Sequence, residues 1–180
     1  MIMNCDIERI FFSEDELKTR VRELGQEITR DYAGKEPLCI GVLKGSFVFM
    51  ADLVRNIDLR AEVEFMAVSS YGNGTTTTGA VKITKDLSKD IAGRDVIIVE
   101  DILVSGVTLN YLKQYLSVRQ PNSIKIVTLL DKPARRKADI KADYVGFECP
   151  DAFIVGYGLD YAERYRNLPY IGVLKPEIYA

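Results

Sequence analysis

The adjacent carboxylates Glu100 and Asp101, followed closely by the turn Ser105-Gly106-Val107-Thr108, are the part of this sequence best equipped for chemistry. A carboxylate pair can accept hydrogen bonds from sugar hydroxyls or hold a hydrated divalent cation. The turn offers a complementary half. Ser105 and Thr108 supply hydroxyls, Gly106 permits a tight turn, and the amides up to Thr108 are the unpaired donors of a helix start. Such a start takes an anion, a phosphate above all. A ligand with a ribose beside a phosphate satisfies both halves; the plainer alternative is an ordinary strand-to-helix turn with a solvated acidic pair.

Positioning these groups falls to a strand and a helix. Val96-Ile97-Ile98-Val99 reads as a buried strand, and Leu109, Leu112 and Leu116 give the next helix an apolar face, with Pro121 marking its end. Open α/β sheets bind ligands at such strand ends. Upstream, Ser13-Glu14-Asp15-Glu16 is a capping box ahead of Leu17, Val21, Leu24 and Ile28 at helical spacing, with Gly34 as a stop. Leu38 to Leu43 reads as a short buried strand. Lys44-Gly45-Ser46 then opens a helix with the apolar run Phe47 to Leu53, and its start suits a second anion, Lys44 adding charge. Val63 to Ser69 and Ala80 to Thr84 read as strands around Ser70-Tyr71-Gly72-Asn73-Gly74 and a run of threonines, a stretch mobile by composition.

Ile124 to Leu130 is another apolar strand, with Asp131-Lys132-Pro133 at its end, and Tyr170 to Leu174 reads as a last strand. Taken bare, Phe153 reads as a core aromatic. Arg135-Arg136-Lys137 reads as a solvated basic run, lacking the interleaved aromatics of a nucleic-acid site. Strand and helix patterns alternate as a mostly parallel sheet requires.

Composition narrows the function. A chain of 180 residues is expected to form one unit over 1–180 and to bury a core without disulfides or metals. Lys and Arg number 24 against 26 Asp and Glu, and a formal charge of -2 gives no drive toward nucleic acid or an anionic membrane. Cys5, Cys39 and Cys149 lack metal-ligand spacing and read as thiols of a reducing compartment. With neither a basic-then-apolar leader nor a membrane-length apolar run, a cytoplasmic location is expected. Histidine is absent, which excludes Ser-His-Asp triads, Cys-His nucleophiles and His-ligated zinc. Proton transfer is left to carboxylate, Lys, Tyr or substrate groups.

Val99-Glu100-Asp101-Ile102-Leu103 followed by Ser105-Gly106-Val107-Thr108 closely resembles the 5-phosphoribosyl-1-diphosphate (PRPP) binding signature of the type I phosphoribosyltransferases. Leu43-Lys44-Gly45-Ser46 resembles the family's diphosphate loop, Ser70-Tyr71-Gly72 the start of its lid, and Phe147 to Tyr161 its base-binding segment. The likeness covers almost the whole chain and points to the hypoxanthine or hypoxanthine-guanine branch. It implies an α/β fold with a central mostly parallel sheet flanked by helices, a small hood built from the C-terminal segment, and a flexible lid loop at about residues 70–80. The implied activity is purine salvage, in which the phosphoribosyl group of PRPP moves to N9 of hypoxanthine, with guanine and xanthine as further candidate bases, giving the nucleotide and diphosphate.

The resemblance also implies roles. Glu100 and Asp101 grip the ribose, and Ser105, Gly106, Val107 and Thr108 cradle the 5-phosphate. Leu43, Lys44, Gly45 and Arg166 meet the diphosphate, with a cis peptide at Leu43-Lys44, while Ser70 and Tyr71 begin the lid. Lys132 donates to the exocyclic oxygen of a 6-oxopurine, the Phe153 ring stacks on it, and the Ile154 backbone pairs with its edge. Mg2+ is the implied cofactor, held by Glu100 and Asp101 with Asp160 helping through its hydration shell, and the implied assembly is a homodimer or homotetramer without nucleic acid or membrane partners.

One residue departs from the pattern. The family carries Asp where this chain has Val104, and that Asp is assigned to the proton on N7 of the purine. An isopropyl group can do no such work. The chain is therefore expected to be either a slowed enzyme relying on Lys132 and Arg166, or a weakly catalytic PRPP- and nucleotide-binding regulator of the same fold.

Overall fold

The computed structural model describes residues 5–70, 81–149 and 151–180. Its larger sheet is built from β2 (Leu38–Leu43), β3 (Glu62–Ser70), β4 (Val81–Lys85), β5 (Asp95–Leu103), β6 (Ser123–Asp131) and β7 (Tyr144–Glu148), in the order β4-β3-β2-β5-β6-β7. Only β3 and β4 pair antiparallel; the other neighbours run parallel, so β2, β5 and β6 all deliver their C-terminal ends to one edge. That edge is where the expected ligand groups fall.

Alternation along β5 sets the layers. Ile97 and Val99 face α1 (Glu14–Asp31) and α2 (Phe47–Arg55), in a cluster with Leu17, Leu24, Phe49 and Leu53. Val96 and Ile98 face α3 (Val107–Ser117), in a second cluster with Leu109, Leu112 and Leu116. Burial on both faces is what a nearly continuous apolar strand demands. The capping box forms as expected: the Ser13 hydroxyl accepts from the Glu16 amide and the Glu16 carboxylate accepts from the Ser13 amide. Caps of this kind contribute about 1 kcal/mol. Helix α3 stops at Ser117, short of Pro121.

A smaller three-stranded sheet, β1-β9-β8, combines β1 (Ile7–Phe12), β8 (Ile154–Val155) and β9 (Ile171–Leu174). The sequence shows β9 but conceals β1, whose outward residues are partly apolar, so that no clean alternation marks it. A short helix, α4 (Pro176–Tyr179), follows β9. Among the described residues no helix is long and apolar enough to cross a membrane. Tyr71 and the rest of the expected lid lie outside the described residues, as does the side chain of Ser70.

Candidate functional site

Strand β5 runs further than its apolar core, so Glu100 and Asp101 stand on the strand itself and not in the loop after it. Glu100 is 9% exposed, and burial, reinforced by the charge of Asp101, pushes its carboxyl well above the usual range. Asp101 Oδ1 accepts from the Ile102 amide at 2.8 Å. Its other oxygen lies over Gly45, where an added Cβ would come within 1.8 Å of it. Glycine at 45 is thus what lets the β2–α2 loop reach the end of β5.

Beyond β5 the backbone turns through Gly106 at φ 77°, a conformation that costs glycine nothing, and an added Cβ there would strike Ile140 at 2.5 Å. The segment after β6 fixes the direction of the turn. The Leu103 carbonyl accepts from the Lys132 amide at 3.0 Å, the Val104 carbonyl from Arg136 Nε at 3.1 Å, and the Ser105 carbonyl from the amides of Lys137 and Ala138 at 2.9 and 3.0 Å. With these carbonyls tied back, the amides that follow point the other way. Among the described residues no acceptor faces the amides of Gly106, Thr108 and Leu109, and Val107 meets only Ser105 Oγ at 3.4 Å. Successive free amides around a left-handed glycine at a helix start make an anion-binding concavity. Arg136, expected as solvated surface, is instead a partly buried clamp that also pairs with Asp131 and donates to Ile140 O at 2.8 Å.

These parts enclose a cleft of about 260 Å³ lined by Leu43, Gly45, Glu100, Asp101, Val104, Ser105 and Thr108, among others. The Leu43-Lys44 peptide is cis, as the resemblance implied. Ser46 differs from expectation: its fully buried hydroxyl donates to Val42 O at 2.7 Å and is not available to an anion.

A second group of predicted residues gathers on the loop Gly156–Tyr165, beside the cleft. Four non-glycine residues here, Tyr157, Ala162, Glu163 and Tyr165, have positive φ, a local concentration of strained backbone typical of functional loops. Arg166 Nη1 donates to Gly158 O at 2.7 Å, and Gly158 packs on the Gly45 carbonyl so closely that a Cβ would lie 2.2 Å from it. The loop and the β2–α2 turn are thereby held together. Lys44 and Arg166 meet around Glu163, at 2.8 and 3.4 Å, and Arg166 also reaches Asp160 at 3.1 Å. Lys44 holds the Glu163 carboxyl below its usual range, a partner the sequence did not single out. Asp160 stands with Arg166, and among the described residues no three acidic groups converge as a ready-made metal cage.

A third cluster lies at the end of β6. Lys132, 9% exposed, donates to Ala152 O at 3.1 Å and pairs with Asp151 Oδ1 at 3.0 Å. Arg135 grips the same carboxylate with its fork, at 2.9 and 2.7 Å. Arg135 first, and Lys132 second, pull the Asp151 carboxyl down to about 2. An ammonium has three donors, so these contacts leave Lys132 one for a further acceptor. Neighbouring Phe153 is 39% exposed, not a core aromatic. Ile154 is buried in β8 with its backbone on the sheet.

Comparison with known proteins follows the same lines. Residues 13–162 match the phosphoribosyl transferase domain family. The hypoxanthine-guanine phosphoribosyltransferase of Bacillus subtilis (strain 168) is 62% identical over 178 residues, covering 99% of each chain. That of Streptococcus agalactiae (serotype V) is 56% identical over 179 residues, again covering 99% of each. A solved hypoxanthine phosphoribosyltransferase from Staphylococcus aureus superposes with a TM-score of 0.97 at 53% identity, covering 100% of this chain and 98% of that one.

Proposed function

Because the chain belongs to the phosphoribosyltransferase family, on its hypoxanthine-guanine branch, we propose that its β5–α3 turn holds PRPP and that Val104 slows the chemical step without removing substrate binding. The chain is a purine-salvage enzyme, a hypoxanthine phosphoribosyltransferase. The observation that carries the site assignment is the set of unpaired amides around Gly106, opposite the carboxylates of Glu100 and Asp101.

In this reading the 5-phosphate lies on the amides of Gly106, Val107 and Thr108 with the hydroxyls of Ser105 and Thr108, while Glu100 and Asp101 take the ribose hydroxyls. Lys44, Gly45 and Arg166 receive the diphosphate, and Leu43 forms the adjoining cleft wall. Displacement at the anomeric carbon builds positive charge on the sugar and negative charge on the leaving group, so donors fixed around the diphosphate lower the barrier. Lys132 uses its remaining donor on the 6-oxo group, Phe153 supplies the stacking face, and the Ile154 backbone pairs with the base edge.

Mg2+ suits this donor set. It is ordinarily held by one or two carboxylates and completed by water and substrate phosphates, so Asp101 and Glu100, which line the cleft, would hold it, with Asp160 acting through its hydration shell. When bound it offsets diphosphate charge. A cytoplasmic location and a homo-oligomeric assembly complete the proposal.

Thr108→Val tests the cradle. Losing one hydrogen bond to a charged phosphate is expected to weaken PRPP binding about tenfold or more in calorimetric titration, leaving the melting temperature close to that of the parent; an unchanged affinity would remove Thr108 from the cradle. Asp151→Asn tests the base end. Lys132 then loses the charge that positions it, and KM for hypoxanthine is expected to rise about tenfold with KM for PRPP unmoved. Because the Asp151 carboxyl is depressed, its ion pairs are complete above the ordinary carboxylate range and are lost only as pH falls toward about 2. Between about pH 5 and 8 this group gives base binding no pH dependence.

A further inference from the structure

Tyr179, on the short C-terminal helix, lies outside the buried cores and the proposed reaction, yet it touches the residue on which the base is proposed to stack. Its ring lies parallel to that of Phe153, with centroids 4.5 Å apart and planes at 16°. Tyr161 meets Phe153 edge-on, at 5.5 Å and 84°. Phe153 is therefore covered on one face and at one edge, while 39% of the residue remains open.

The rest of α4 secures this contact. Ile178, next to Tyr179, packs into the small cluster of Ile7, Val155, Tyr165, Leu168 and Leu174 beneath the smaller sheet. The Leu174 amide donates to Phe153 O at 2.9 Å, tying the strand before α4 to the backbone that carries the ring. One residue earlier, Ala152 O accepts from Lys132 Nζ. The backbone of this platform is thus held from both sides, and Tyr179 holds its ring. An exposed aromatic ring without such support has a broad, roughly two-fold terminal torsion and must be ordered when a ligand stacks on it.

We infer that Tyr179 is a positioning residue for the purine: it backs Phe153 on the face away from the base and so pre-orders the stacking surface. This inference rests on the proposed function in taking Phe153 as the base platform. Offset-stacked aromatic pairs contribute modestly beyond area burial, so the effect is expected to be selective and moderate in size.

The test titrates the parent, Tyr179→Ala and Tyr179→Phe chains with IMP and, separately, with PRPP. Tyr179→Ala is expected to bind IMP about three- to tenfold more weakly, with PRPP affinity unchanged, and Tyr179→Phe to match the parent within about twofold. Equal IMP affinity in Tyr179→Ala and the parent would overturn the inference. Tighter IMP binding would also overturn it, by showing that Tyr179 occupies the base's own place, and a parallel loss for both ligands would reduce it to a general packing role. Failure of the parent to form IMP from its substrates would count against the proposed function instead, and is read in a separate assay.

Discussion

Val104→Asp is expected to raise the rate of nucleotide formation by about 100- to 10,000-fold, the range over which a positioned general acid or base acts. Val104 lines the cleft, at the position where the resemblance implies an Asp. Its backbone is anchored independently, since the carbonyl accepts from Arg136 Nε and those of Leu103 and Ser105 are tied to the same segment. Exchanging the side chain therefore changes chemistry and leaves the anion cradle in place. PRPP affinity is expected to stay within a few-fold of the parent or to fall slightly, because a carboxylate is added beside an anionic ligand. Steady-state rates for hypoxanthine in both chains, with calorimetric PRPP affinities alongside, check this. Equal rates would mean that water or another group manages the N7 proton.

Gly45→Ala is expected to lower kcat/KM by about 100-fold while the chain remains folded, since displacing a reacting group by an ångström costs on that order. The new Cβ would stand 1.8 Å from Asp101 Oδ2 and 2.7 Å from its Cγ, so the carboxylate must swing away from the cleft. Asp101 is a short side chain and can do so without unfolding β5. Because the damage passes through that carboxylate, the effects are expected to be non-additive: in an Asp101→Ala background, Gly45→Ala should cost little more. Rates for both single variants and the double variant, with circular-dichroism melts, decide the point, and full additivity would contradict it.

How much of this was legible in the sequence depended on the range of the interaction. Val96 to Leu109 could be read because periodicity, a glycine at the turn and hydroxyls at a helix start are all local signals, and β2 and the capping box of α1 were readable for the same reason. The extent of β5 was not, since Glu100 and Asp101 are poor strand formers kept in the strand by the pairing of Glu100, Ile102 and Leu103 with β6. Strand β1 escaped because its partner β9 is almost the whole chain away. Arg136 looked like one charge among three, and only folding brings it beneath the Val104 carbonyl. Ser46 looked like a helix cap facing an anion, yet its hydroxyl turns back to Val42. Asp151, Glu163 and Tyr179 act through partners from other elements, and no spacing within their own segments announces them.

The most direct test of phosphoribosyl transfer by this chain follows IMP formation spectroscopically from hypoxanthine, PRPP and Mg2+, with diphosphate release measured in parallel and each component omitted in turn. The expected result is slow formation of IMP that requires all three, one diphosphate for each IMP, and a large acceleration in Val104→Asp. If neither chain forms IMP although PRPP binds to both, the assignment as a phosphoribosyltransferase is contradicted.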